Sequence, residues 1–222
     1  MSSVTTLFSI LLLSTSVYAQ LPAGFVYLSD VAPSIKQEVR YAGTNNFIGK
    51  PIDGYDAETI LLSKEAATAM LKVQEDLRKA NLSLKVYDAY RPQRAVDHFV
   101  RWARVESDTL MKTQYYPAVP KNQLFKLGFI ASKSGHTRGS TVDLTLVDLK
   151  TGTECDMGGP YDFFGPLSHH DYEDLSTEQR SNRTFLKSMM SKHGFRAYAK
   201  EWWHYTLRGE PYPDTYFDFE VR

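Results

Sequence analysis

Apolar and polar positions alternate along this chain with two periods, and the switch between them outlines the elements. From Ser63 to Ala80 the apolar residues Ala67, Met70, Leu71 and Leu77 recur among charges at three- and four-residue spacing. That is the stripe of an amphipathic helix, and Asn81 is its expected stop. Leu84 to Tyr87 reads as a strand. Pro92, expected at the first helical position, opens a second helix that carries Ala95, Phe99 and Trp102 on one face through about Val105. From Thr141 to Val147 the period becomes two. Val142, Leu144 and Leu146 face one way and Thr141, Asp143 and Thr145 the other, as in a strand with one buried face. Ser176 to His193 is a third long helix closed by Gly194, and Trp203 to Leu207 resumes as a strand. No internal repeat or linker composition divides the chain. These signals predict a single α+β domain with helices packed on a mainly antiparallel sheet.

The N-terminal segment stands apart from this pattern. Met1 to Ala19 holds no charged side chain, carries an apolar run from Leu7 to Leu13 and ends Val17-Tyr18-Ala19, small where a signal peptidase reads. It reads as a secretory signal, although its start offers only the terminal amine as positive charge. The alternative is a buried N-terminal helix, since the run is too short to span a bilayer. The domain is therefore expected over residues 20–222, exported, with the periplasm as the destination.

Composition narrows the ligand. The 222 residues are 42% hydrophobic and 23% charged, enough for one core, and 26 Lys+Arg balance 26 Asp+Glu. No net field favours nucleic acid or an anionic membrane; a small uncharged or zwitterionic partner suits this balance. Cys155 is the sole cysteine, so no internal disulfide is possible even in an oxidising compartment.

Candidate chemistry lies in two short segments. Ser134-Gly-His-Thr-Arg-Gly-Ser-Thr-Val-Asp143 offers a loop histidine, His136, just before a strand aspartate; Glu201-Trp-Trp-His204 offers another acid and imidazole. Two imidazoles and one carboxylate are what a catalytic zinc ion takes from a protein, leaving a position for water and the second carboxylate free as a base. Taken singly, each histidine reads more readily as a surface or satisfied core residue than as a ligand; their joint occurrence beside acids shifts that balance. Arg91, in Asp88-Ala-Tyr-Arg-Pro92 at a strand end, is suited to donate two hydrogen bonds to an oxyanion, or else to pair with Asp88 or Asp97. His98, His169, His170 and His193 receive no role.

Together, Asp88-Ala-Tyr-Arg91-Pro92, Ser134-x-His136-x-x-Gly139-x-x-x-Asp143 and Glu201-x-Trp-His204-Tyr205 resemble the zinc D,D-peptidases of the M15 type, most of all the VanX-type D-alanyl-D-alanine dipeptidases. The resemblance also takes in Tyr41-Ala-Gly-Thr-Asn-Asn-Phe47 and Asp156-Met-Gly-Gly-Pro-Tyr-Asp162, and so spans nearly all of the chain beyond Ala19. It implies one zinc ion on His136, Asp143 and His204, Glu201 as general base and then acid, and Arg91 on the carbonyl oxygen. It also implies Asp162, Tyr41 and Ser134 around the termini of a D-Ala-D-Ala dipeptide. A carboxylate in a closed pocket would select a free ammonium, although locally Asp162 reads equally as a cap on the turn after Pro160. Two alternatives use the same residues: a D,D-carboxypeptidase or endopeptidase acting on wall peptides, and a secreted zinc module without catalysis. The known resistance dipeptidases are cytoplasmic, so an export signal here implies wall turnover or nutrition.

Overall fold

The computed structural model describes residues 21–222; the expected signal, Met1 to Ala19, lies outside them. In chain order the elements are β1 (Phe25–Tyr27), α1 (Leu28–Val31), β2 (Lys36–Gln37), β3 (Leu61–Ser63), α2 (Lys64–Lys79), β4 (Leu82–Asp88) and α3 (Gln93–Arg104). They continue with α4 (Lys112–Tyr115), α5 (Leu124–Leu127), β5 (Thr141–Asp148), α6 (Thr177–Lys192), β6 (Phe195–Tyr198) and β7 (Glu201–Leu207). Five strands form one sheet in the order β2-β4-β5-β7-β6, antiparallel except for the short β2–β4 pair, and β1 and β3 form a separate antiparallel ribbon. The α+β architecture with a mainly antiparallel sheet is as expected.

The long helices begin and end where their sequence dictates. Ser63 caps α2 by accepting from the Ala66 amide at 3.3 Å, and Asn81 ends that region in the left-handed conformation at φ 58°. Ser176 and Gln179 form a capping box on α6, while Gly194 follows at φ 92°. Each such cap stabilises its helix by about 1 kcal/mol. Met70 and Leu77 of α2, Leu186 and Met190 of α6, and Leu84, Val86, Leu144 and Leu146 of the sheet are all fully buried in one core.

Three expectations need correction. Pro92 sits one position earlier than expected, at the N-cap, and has no capping side chain. The amides of Gln93 and Arg94 are satisfied instead by the C-terminal tail, through the Phe217 carbonyl at 3.0 Å and the Asp218 carboxylate at 2.8 Å. The strand from Thr141 is buried on both faces, because the face with Asp143 is covered by the loops and helix that build the site. The last strand begins at Glu201, two residues before the expected Trp203, so the candidate base is a strand residue.

Candidate metal centre and active site

One row of the sheet assembles most of the site. Asp143 of β5 pairs with Asp88 of β4 on one side and with His204 of β7 on the other. Residues directly opposite in a ladder share a face, so the three side chains project together. A register shift after Val86 brings Asp88 into this row. A second irregularity concerns Glu201: between the pairs Ala197–Tyr205 and Tyr198–Glu201, β6 advances one residue and β7 four. In a regular strand residues three apart point to opposite faces. The distortion in β7 turns the Glu201 carboxylate to the side of His204, 3.3 Å from its Nδ1.

His136 enters from the short 3-10 turn Gly135–Arg138 that precedes β5. Ser134 caps this turn, its Oγ accepting from the His136 amide at 3.3 Å. The turn closes at Gly139, whose φ of 82° suits glycine; a Cβ there would also lie 2.4 Å from the Phe25 ring.

Three donor atoms converge here. His136 Nε2 lies 3.3 Å from Asp143 Oδ1 and 3.3 Å from His204 Nδ1, and His204 Nδ1 lies 3.0 Å from Asp143 Oδ1. Ligands bound tetrahedrally at about 2.0–2.1 Å stand roughly 3.3 Å apart, so the triangle matches a small divalent cation. The donor chemistry agrees. His136 Nδ1 contacts the Ala89 carbonyl at 2.7 Å, which directs the lone pair of Nε2 inward, while Asp143 Oδ1 is buried with no hydrogen-bond donor of its own. Among the described residues this is the group of His, Cys, Asp and Glu able to hold a metal ion.

The charges around the triangle favour an ionised carboxylate ligand. Burial pushes the Asp143 carboxyl up, but His136 and His204 overcome this and hold it well below the usual range. Burial alone would lower His204; the Asp143 and Glu201 carboxylates beside it instead push it up to about 9, so a proton would compete with a metal ion for that nitrogen.

Arg91 reaches the same space from the end of β4. Its Nε donates to Asp88 Oδ2 at 2.9 Å, and one terminal nitrogen lies 2.8 Å from the same oxygen and 3.6 Å from Asp143 Oδ2. The ion pair with Asp88 is therefore formed, and Arg91 also lines the cavity. Asp97 takes no part and bonds Gln93. Asp88, considered from sequence only as a partner for Arg91, is fully buried, receives the Tyr55 hydroxyl at 2.5 Å and lies 3.4 Å from His136 Nδ1. Its signal in the sequence was its place three residues before Arg91.

The cavity in front of the triangle has a volume of about 200 Å³ and brings together every residue expected at the site. Asp162 enters with φ 62° and accepts the Tyr41 hydroxyl at 2.8 Å. Burial first, then the Asp143 charge, push its carboxyl well above the usual range. Tyr161, not foreseen, joins the two ends: its hydroxyl lies 3.3 Å from the Tyr41 hydroxyl and 3.2 Å from Asp143 Oδ2, and can donate its one proton to either. Arg183 of α6 anchors the Asp162 loop from below, donating to the carbonyls of Met157, Leu167 and His169 at 2.6, 2.9 and 2.8 Å. Trp202 and Trp203 are both buried, and Trp203 meets the edge of Tyr161 at 5.4 Å.

The histidines given no role lie elsewhere: His98 bonds Asp53, His193 bonds Asp76, and His169 and His170 belong to the loop before α6. The Cys155 thiol is pushed up by burial, the opposite of activation.

A three-ligand centre with a free carboxylate and a guanidinium in one cavity is the arrangement of a metallohydrolase. The model of the peptidase M15 D-Ala-D-Ala dipeptidase family matches residues 22–222, and the chain belongs to that family of peptidases. It is 44% identical over 197 residues to the D-alanyl-D-alanine dipeptidase of Streptomyces coelicolor, covering 89% of this chain and 98% of that protein. Its identity to the dipeptidase of the same name from Enterococcus faecium is 42% over 199 residues, covering 90% and 98%. The Escherichia coli protein of that name is 32% identical over 182 residues, covering 82% and 83%.

Proposed function

We propose that the protein is a zinc-dependent dipeptidase that hydrolyses D-Ala-D-Ala to two molecules of D-alanine. The observation that carries this reading is the triangle of His136, Asp143 and His204 donor atoms at 3.0–3.3 Å, with the Glu201 carboxylate 3.3 Å from one corner. The names of the relatives supply the substrate. When bound by His136, Asp143 and His204, zinc supplies Lewis acidity that polarises the scissile carbonyl and acidifies the attacking water.

The remaining steps belong to the chain's own side chains. Glu201 accepts a proton as water attacks and returns it to the leaving amine. Arg91, held by Asp88, donates to the carbonyl oxygen as negative charge develops there. Asp162 receives the substrate's ammonium. Its buried carboxyl resists ionisation until a cation arrives, so an N-blocked peptide would leave it unpaired. Tyr41 orients it through the 2.8 Å hydrogen bond, and Ser134 serves the carboxylate end.

The same reading places the protein outside the cytoplasm, with Met1 to Ala19 removed on export and the dipeptide arriving from wall turnover. Its support is the uncharged, apolar N-terminal segment together with a family match that begins at residue 22. Full-length protein confined to the cytosol with Met1 to Ala19 attached would refute export.

The activity is tested on purified protein with D-Ala-D-Ala, L-Ala-L-Ala and N-acetyl-D-Ala-D-Ala, with and without zinc. Zinc-dependent cleavage confined to the free D,D-dipeptide is expected. Cleavage of the acetylated peptide at a comparable rate would favour a carboxypeptidase, and inertness toward all three would leave a zinc module without catalysis.

A further inference from the structure

A dipeptide is a zwitterion, and the groups described so far meet its ammonium and its scissile carbonyl but supply no charge for its carboxylate. Apart from histidines, the cavity is lined by three acids, Asp143, Asp162 and Glu201, and two cations, Arg91 and Lys133. Arg91 is committed: it is ion-paired with Asp88 and assigned to the scissile carbonyl oxygen. Lys133 is not. Among the described residues no carboxylate pairs with it, and its Nζ lies 4.7 Å from the centre of the Tyr216 ring. Arg138, the other cation at that ring, is 5.9 Å away and is neutralised by Glu210, which accepts two hydrogen bonds at 2.8 Å. Lys133 therefore lines a mostly acidic cavity with a cation that no carboxylate neutralises, its Nζ resting over the Tyr216 ring just outside that lining.

Depth orders the two ends of the substrate. Asp162 is only 6% exposed, whereas Lys133 lies at the solvent-exposed edge of the same cavity. An ammonium drawn inward to Asp162 leaves the carboxylate toward the mouth. Ser134 stands next to Lys133; its Oγ accepts from the His136 amide, which leaves its own O–H free to donate. We propose that Lys133 is the specificity residue for the C-terminal carboxylate, pairing its charge with the substrate while Ser134 contributes a hydrogen bond. Free carboxylate and free ammonium are then each required, by Lys133 and Asp162 respectively, and the substrate is limited to a dipeptide at both ends. This inference rests on the dipeptidase reading.

The test compares wild type, Lys133→Met and Lys133→Arg on D-Ala-D-Ala and on its C-terminal amide, D-alanyl-D-alaninamide. Loss of a charge-assisted contact is expected to raise KM for the dipeptide about tenfold, to the level of the amide, with kcat within about twofold. The amide's KM should not rise further, Lys133→Arg should recover most of the loss, and added salt should raise KM in wild type but not in Lys133→Met. Calorimetric binding of D-Ala-D-Ala to the zinc-loaded Glu201→Gln protein, with and without Lys133→Met, should show the same tenfold difference without turnover. An unchanged dipeptide KM in Lys133→Met, or an equal rise for dipeptide and amide, would overturn the assignment while leaving the dipeptidase reading standing. Wild-type protein that cleaves neither compound would overturn both.

Discussion

A single oxygen of Asp88 accepts a hydrogen bond from Arg91 Nε at 2.9 Å and lies 2.8 Å from a terminal guanidinium nitrogen, while the whole carboxylate is sealed from solvent. A buried carboxylate with a fixed guanidinium beside it costs little reorganisation when charge develops on the substrate oxygen. Arg91→Ala should lower kcat about a hundred- to thousandfold with zinc content unchanged. Asp88→Asn should cost about ten- to a hundredfold in activity or zinc affinity, because it weakens the hold on Arg91 and lies beside His136. Zinc measured by atomic absorption alongside kcat separates the two effects. Loss of zinc from Arg91→Ala would make that residue structural.

Glu201 touches the metal triangle only through His204, so it can be removed without opening the ligand set. Glu201→Gln should reduce kcat by about a hundred- to ten-thousandfold and retain zinc, with D-Ala-D-Ala binding preserved. Hydrolysis undiminished in a zinc-loaded Glu201→Gln protein would exclude it as the base.

The peptide group environment of Phe217 ties the two halves of the site together. Its N–H donates to the Thr137 carbonyl in the His136 turn, and its C=O accepts from Gln93, two residues after Arg91. Asp218 then caps α3 from 124 residues away. Asp218→Ala should lower unfolding free energy by about 1 kcal/mol and kcat severalfold, whereas Asp218→Asn, which keeps the accepting oxygen, should preserve most of both. Chemical denaturation and steady-state kinetics read the two quantities separately, and equal behaviour of Ala and Asn variants would refute the cap.

His170 sets an acid limit on stability. Burial, with Lys187 and Arg183 nearby, lowers its pKa from 6.5 to about 4, and its Nε2 is buried without a partner. Between these values the unfolded chain binds the proton more readily than the folded one, so acid favours unfolding. The penalty is absent above pH about 6.5 and complete below about 4, on the order of 3 kcal/mol. Denaturation of chelator-treated protein across this range should show the loss, and His170→Leu should flatten it. An identical pH slope in the variant would refute this origin.

Local pattern made the helices and the β5 strand legible because caps, stops and apolar spacing act over a few residues. Ser63, Asn81, Ser176 and Gly194 sit at the ends they announce. The site residues were legible for a different reason: each lies in a short segment whose resemblance to the M15 peptidases covers the chain. Arg183 and Phe217 lay in no such segment, and Tyr161, although inside the Asp156–Asp162 stretch, was given no role there. Their contacts join positions far apart in sequence, and nothing in their own neighbourhoods reports the partner.

From sequence alone come the helix-forming stripes, the strand alternation that sets Asp143 opposite the leucines, and the chemical types of the candidate ligands, base and guanidinium. Tertiary structure alone decides that Asp88, Asp143 and His204 stand in one row, that β7 is distorted so Glu201 joins His204, and that the polar face of β5 is buried. The physical reason is that local pattern fixes which way a side chain leaves its own strand. Register between β4, β5 and β7 depends on packing and hydrogen bonding among segments more than fifty residues apart, and the β6–β7 irregularity depends on how that hairpin packs against the rest of the sheet.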